Sequence, residues 1–145
     1  MVKKRQGEPW MSASNYGQTL KGMSINLLVM DIERSLSFHR EVLGAEVVYA
    51  DVDFAVVRAQ ESEWMLHADH TYSDHPLSET LRAVTSRGVG AELRVHGCDP
   101  DTAEAAAHQR GDLVLVSATN KPHGLREVYI IDPDGYLWVP DIAVE

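Results

Sequence analysis

The strongest constraint on this chain is that one pattern occurs in it twice. Ile25, Leu27 and Val29 alternate with Ser24, Asn26 and Leu28, as in a strand. Asp31 follows as a helix cap, then a helical stretch through Leu36, Phe38, Val42 and Leu43 that Gly44 stops. Three more strands are expected at 45–50, 54–58 and 64–68, separated by short polar turns. The pattern then restarts. Ala91, Leu93 and Val95 alternate, Asp99 caps, Pro100 suits the first helical position, and strong helix formers run to Gly111. Strands follow at 113–117, 125–131 and 136–140. The last two are joined by Asp132-Pro133-Asp134-Gly135, where Pro fixes φ and Gly supplies a positive φ. From Val29 to Gly44 is 15 positions, and from Val95 to Gly111 is 16. So matched a repeat predicts an α+β fold: two βαβββ modules in tandem, forming a curved mixed sheet around a cleft, with the helices on the outside.

The repeat divides the chain of 145 residues. Residues 1–18 are polar, hold Pro9 and Gly17, and lack periodicity, so they are expected to form a flexible N-terminal arm, with Trp10 contributing little; Met11 offers a second possible start. Residues 19–145 are expected to form one domain: module one at 24–69, a linker at 70–88 with a short helix from 78 to 87, and module two at 89–142. The net charge of −9 argues against nucleic acid, which needs a basic footprint. It weakly favours cationic ligands. The single cysteine, Cys98, cannot form an internal disulfide. Apolar runs fall far short of a membrane span, and no apolar stretch follows Lys3, Lys4 and Arg5, so a cytoplasmic protein without membrane contact is expected.

Particular words within the repeat carry a resemblance. Asn26-Leu-Leu-Val-Met-Asp31, Arg34-Ser-Leu-Ser-Phe38, Val42-Leu-Gly44 and, most specifically, Gly124-Leu-Arg-Glu-Val-Tyr-Ile-Ile-Asp-Pro-Asp-Gly135 resemble the vicinal-oxygen-chelate superfamily of glyoxalases, extradiol dioxygenases and bleomycin-resistance proteins. The resemblance covers about residues 24–142. It implies four metal-ligand positions in the metal-dependent members. By register these fall on Ser24, Gly90, Val139 and a position within 64–68, best matched by His67. Ser, Gly and Val cannot supply the nitrogen or carboxylate ligands such ions need. The resemblance therefore points to the metal-free, drug-binding branch, with no metal cofactor. It also implies a homodimer, because metal-free members often build paired clefts between two chains.

Strand alternation then assigns faces. Leu27, Val29, Leu93 and Val95 pack under the helices, so Asn26, Glu92 and Arg94 face the cleft. Val128 and Ile130 face the core, which turns Glu127 and Tyr129 to the cleft. Leu137 and Val139 share the face of the family's last ligand. With Met65 and His67 the expected ligand-binding set is Asn26, Met65, His67, Glu92, Arg94, Glu127, Tyr129, Leu137 and Val139, a mixture suited to a small organic ligand. Glu92, Arg94 and Glu127 also read as solvated charges of an open sheet face. Trp64 and Trp138 read as core anchors, and Lys121-Pro-His-Gly124 as a loop at the cleft mouth.

Two clusters invite chemistry. His67, Asp69, His70, Asp74 and His75 are dense in metal donors, although the spacing of His67 and His70 places them on opposite strand faces. Cys98 precedes a helix, which lowers thiol pKa, but Asp99 and Asp101 oppose that. Three functions remain open at this level. The first is a metal-independent binding protein for a drug or aromatic metabolite. The second is a divalent-metal lyase, isomerase or dioxygenase with a rearranged site around His67. The third is a metal-free enzyme using Glu92, Glu127 or His67 as general base.

Overall fold

The structure is a computed structural model that describes residues 2–145. Its elements run α1 (Ala13–Thr19), β1 (Asn26–Val29), α2 (Ile32–Glu41), β2 (Glu46–Ala50), β3 (Phe54–Ala59), β4 (Ser62–Ala68), a 3-10 turn (Asp69–Tyr72), α3 (Ser78–Ala83), β5 (Leu93–His96), α4 (Pro100–Arg110), β6 (Leu113–Asn120), β7 (Leu125–Ile131) and β8 (Leu137–Ala143). The βαβββ order appears twice, as the repeat requires. Each module forms a four-stranded mixed sheet, β1-β4-β3-β2 and β5-β8-β7-β6, with its first strand parallel to its last. No strand of one sheet pairs with a strand of the other among the described residues.

Local chemistry sets the helix ends. The Asp31 carboxylate accepts from the Arg34 N–H at 2.8 Å, and Asp99 accepts from the Thr102 N–H at 2.9 Å. Gly111 closes α4 with φ 86°, donating its N–H to the Ala107 and His108 carbonyls. Strands β1 and β5 begin two residues later than the alternation suggests, because Ser24, Ile25, Ala91 and Glu92 precede the paired register. The linker helix is also shorter than expected and ends at Ala83.

One core serves both modules. Val29, Leu36, Phe38, Val57 and Leu66 from module one join Val95, Ala107, Val128, Ile130 and Trp138 from module two. Trp64 and Trp138 meet there with ring centroids 5.5 Å apart, and Trp138 also lies edge-on to His39 at 5.2 Å. The expectation that both tryptophans anchor the core holds, since both are buried. The two sheets thus share the core through one face each, and their opposite faces turn away from it.

Residues 2–18 pack against module one. Ser12 caps α1 by accepting from the Asn15 N–H, Tyr16 is buried, and Trp10 stacks on Tyr49 with centroids 4.5 Å apart. The physical reason is that Asp53, itself buried, accepts the backbone N–H groups of Lys4 (2.7 Å) and Arg5 (3.1 Å). That clamp lies about fifty residues away in sequence, so no local pattern announces it. Met1 lies outside the described residues.

Candidate functional site

In β4, Trp64, Leu66 and Ala68 point into the core, which leaves Met65 and His67 on the opposite face. The register places Phe54 beside His67 and Asn26 beside Met65. His67 Nδ1 lies 2.6 Å from Asn26 Oδ1, while Asn26 Nδ2 donates to the Tyr72 hydroxyl at 2.9 Å. Phe54 lies 4.7 Å from His67 by ring centroids, and Tyr72 stands edge-on to it at 5.2 Å. Burial pushes the His67 pKa down to about 4, so the ring is neutral at pH 7.

The arm crosses this face. Tyr16 packs edge-on against Phe54 at 5.8 Å and its hydroxyl donates to Glu63. Between arm and sheet lies a cavity of about 250 Å³ lined by Trp10, Tyr16, Phe54, Met65 and His67, with Lys3 and Arg5 also on its wall. Sequence reasoning placed Met65 and His67 correctly on one face but missed Trp10, Tyr16 and Phe54. The aromatic content of an otherwise polar arm was the available signal.

Module two's exposed face is built around a cation. The Arg94 guanidinium donates to Glu92 (2.8 Å) and Glu127, and lies 3.4 Å from Asp141. Tyr129 donates its hydroxyl to Glu127 at 3.2 Å, and His123 Nε2 lies 3.5 Å from the same carboxylate. Burial opposes charge on Glu127, but its hydrogen bond and ion pair with Arg94 outweigh this and hold the carboxyl below the usual range. Val139 pairs in register with Arg94. Leu137 instead borders a shallow depression with Leu27, Val89 and Leu93. Lys121 lies over the Tyr129 ring at 5.9 Å, which gives the Lys121–Gly124 loop its expected place near these residues.

The nine expected ligand residues therefore do not meet in one cleft of a single chain. Asn26, Met65 and His67 lie together on one sheet. Glu92, Arg94, Glu127, Tyr129 and Val139 lie together on the other. Leu137 shares the face of Val139 by alternation but lies at the start of β8, beside Val89 and Leu93. Back-to-back sharing of the core separates the two faces, which strand alternation alone cannot reveal. Glu127 is also spoken for: Arg94 neutralises it, so it is not a free partner for a ligand cation.

The tempting donors disperse as well. His70 Nε2 pairs with Asp53 at 2.6 Å, both Asp69 oxygens accept from Arg87 at 2.7 Å, and His75 Nδ1 accepts from the Leu77 N–H. No three His, Cys, Asp or Glu side chains converge among the described residues. On the module-one face His67 is flanked by Met65, Phe54 and the carboxamide of Asn26; on the module-two face the carboxylates are held by Arg94. This donor set does not fit the divalent ion of the metal-dependent relatives. Cys98 is buried with its thiol 3.6 Å from the Leu43 carbonyl, and burial pushes its pKa up to about 11, far from a reactive thiolate.

The family model described as the glyoxalase/bleomycin resistance protein/dioxygenase superfamily matches residues 23–139. The chain belongs to that superfamily. Among solved structures, this superfamily member is similar to a glyoxalase-related enzyme from Fulvimarina pelagi, with 22% identity, 85% of this chain and 88% of that one covered, and a TM-score of 0.65. It is also similar to a glyoxalase/bleomycin resistance protein/dioxygenase from Nocardioides (21% identity, 91% and 93% covered, TM-score 0.61) and to TioX from Micromonospora sp. ML1 (18%, 86% and 98%, 0.60). At these identities the likeness concerns the fold, which hosts unrelated activities. No curated protein matches the chain.

Proposed function

We propose that this superfamily member is a metal-independent binding protein for a small, flat organic molecule, a drug or an aromatic metabolite. The observation that carries this reading is the arm-roofed cavity. Its walls combine the aromatic and thioether side chains of Trp10, Met11, Tyr16, Phe54 and Met65 with a few polar groups that can orient a ligand, the composition of a small-molecule pocket. Met65 and His67 lie on its sheet side, and Asn26 touches it only through its hydrogen bond with His67. A metal-dependent lyase, isomerase or dioxygenase would need donors that neither face supplies. The reading includes a cytoplasmic homodimer that binds neither nucleic acid nor membrane. In support, β1 and β5 are edge strands, Met23, Ile25 and Val89 are exposed beside them, and no helix among the described residues is long and apolar enough to cross a membrane.

The test is a thermal-shift screen of aromatic antibiotics and metabolites, with and without a chelator. Hits should stabilise the protein equally in both conditions and lose most of their effect in Trp10→Ala and Phe54→Ala. Hits that require added divalent metal, or that ignore both substitutions, would overturn the reading.

A further inference from the structure

The polar groups on the wall of the module-one cavity define what its ligand must carry. Asn26 Nδ2 donates to Tyr72, so its Oδ1 faces His67 Nδ1 and can only accept. Nδ1 therefore bears the proton of the neutral imidazole. Nε2, across the ring, is a bare lone pair with no partner among the described residues, on a residue that lines the cavity. A hydrogen-bond donor on the ligand satisfies it.

The arm supplies the opposite chemistry. Lys3 forms no ion pair among the described residues and lines the cavity. Arg5 lines it too: its guanidinium lies 3.8 Å from Asp51 and 3.6 Å from Asp53, while its Nε–H is buried without a hydrogen-bond partner. A buried unpaired donor is costly, and a ligand acceptor relieves it. Asp53, the carboxylate on the same wall, has both oxygens taken by Lys4, Arg5 and His70, so it offers a ligand cation little. Lys3 and the Nε–H of Arg5 thus leave unspent donors on the wall, although the molecule's net charge is −9.

We propose that the cavity selects a planar aromatic compound bearing a ring hydroxyl, donated to His67 Nε2, and an anionic or carbonyl oxygen, received by Lys3 and Arg5. This rests on the reading of the cavity as the ligand site and adds the ligand's class to it.

Four naphthalene probes test it by calorimetry: 6-hydroxy-2-naphthoate, 6-methoxy-2-naphthoate, 2-naphthoate and naphthylmethylammonium. The hydroxynaphthoate should bind about five- to tenfold more tightly than the methoxy and unsubstituted acids, as one neutral hydrogen bond provides. His67→Phe should erase that advantage. Lys3→Met and Arg5→Met should each weaken all three acids, by about tenfold for a charged contact, without weakening the ammonium probe. If all four probes bind alike and Trp10→Ala weakens them together, the proposed selectivity is wrong while the cavity remains the binding site. Preference for the ammonium probe overturns the proposal likewise. If no probe binds, or binding ignores Trp10→Ala, the selectivity and the cavity reading both fall.

Discussion

His39 sits wholly buried on α2 with both ring nitrogens engaged: Nδ1 donates to the Ser35 carbonyl at 2.8 Å, and Nε2 accepts the Trp64 indole N–H at 3.1 Å. Only the neutral ring can do both, and burial lowers its pKa to about 4. The unfolded chain binds a proton here near pH 6.5, so this stability is present above that pH and is lost as pH falls toward 4. His67 acts in the same direction. Asp132 acts oppositely: burial raises its pKa to about 6, so protonation favours the fold below that pH. Unfolding free energy measured between pH 7 and 4.5 should therefore fall, with each histidine contributing up to about 1.4 kcal/mol per pH unit within its window and Asp132 offsetting one of them. His39→Gln should flatten the slope by one histidine's share; an unchanged slope would show that another group governs it. Arg94 supports a second expectation. Arg94→Met removes the guanidinium from Glu127 and Asp141, both almost fully buried, and should cost about 3 kcal/mol in denaturant unfolding, the low end for a broken buried pair because Arg94 is partly solvated and Tyr129, His123 and His96 remain as partners. Adding Glu127→Gln should recover part of that loss.

At the scale of elements, the arm is the part whose behaviour the repeat does not govern. Its aromatic residues cover Phe54 and Tyr49: Trp10 stacks on Tyr49 at 4.5 Å and Tyr16 packs edge-on to Phe54 at 5.8 Å. Asp53→Ala removes the acceptor of two arm N–H groups and the partner of His70. It should destabilise the protein by about 2–3 kcal/mol, of the order of one charge-assisted hydrogen bond left unmade. Amide exchange of residues 4–19 should accelerate well before that of β7 or β8. Uniform acceleration across the chain would mean that the arm and the modules open together. The β7–β8 turn behaves differently: Gly135 has φ 88°, and a Cβ there would lie 2.3 Å from the Thr85 carbonyl oxygen. Its glycine is required on both counts, and the turn was legible in sequence because its cause is local.

For the whole molecule, the open edges at β1 and β5 and the exposed Met23, Ile25 and Val89 lead to a specific expectation: light scattering should report a dimer. Ile25→Glu with Val89→Glu should shift it to monomer with little change in monomer helix content. A monomer at all concentrations in the unaltered protein would remove the homodimer from the proposed function. By itself, the sequence determined the modules. Alternation, Asp caps, glycine stops and the Asp-Pro-Asp-Gly turn act over a few residues, so α2, α4 and all eight strands could be read from it, along with which residues of β1, β4, β5 and β7 share a face. Tertiary structure alone decided how the faces are used. The sharing of one core through Trp64 and Trp138, the clamp of Asp53 on Lys4 and Arg5, and the neutralisation of Glu127 by Arg94 join residues 33 to 74 positions apart. Contacts that distant leave no period in the chain, because they depend on where whole modules come to rest.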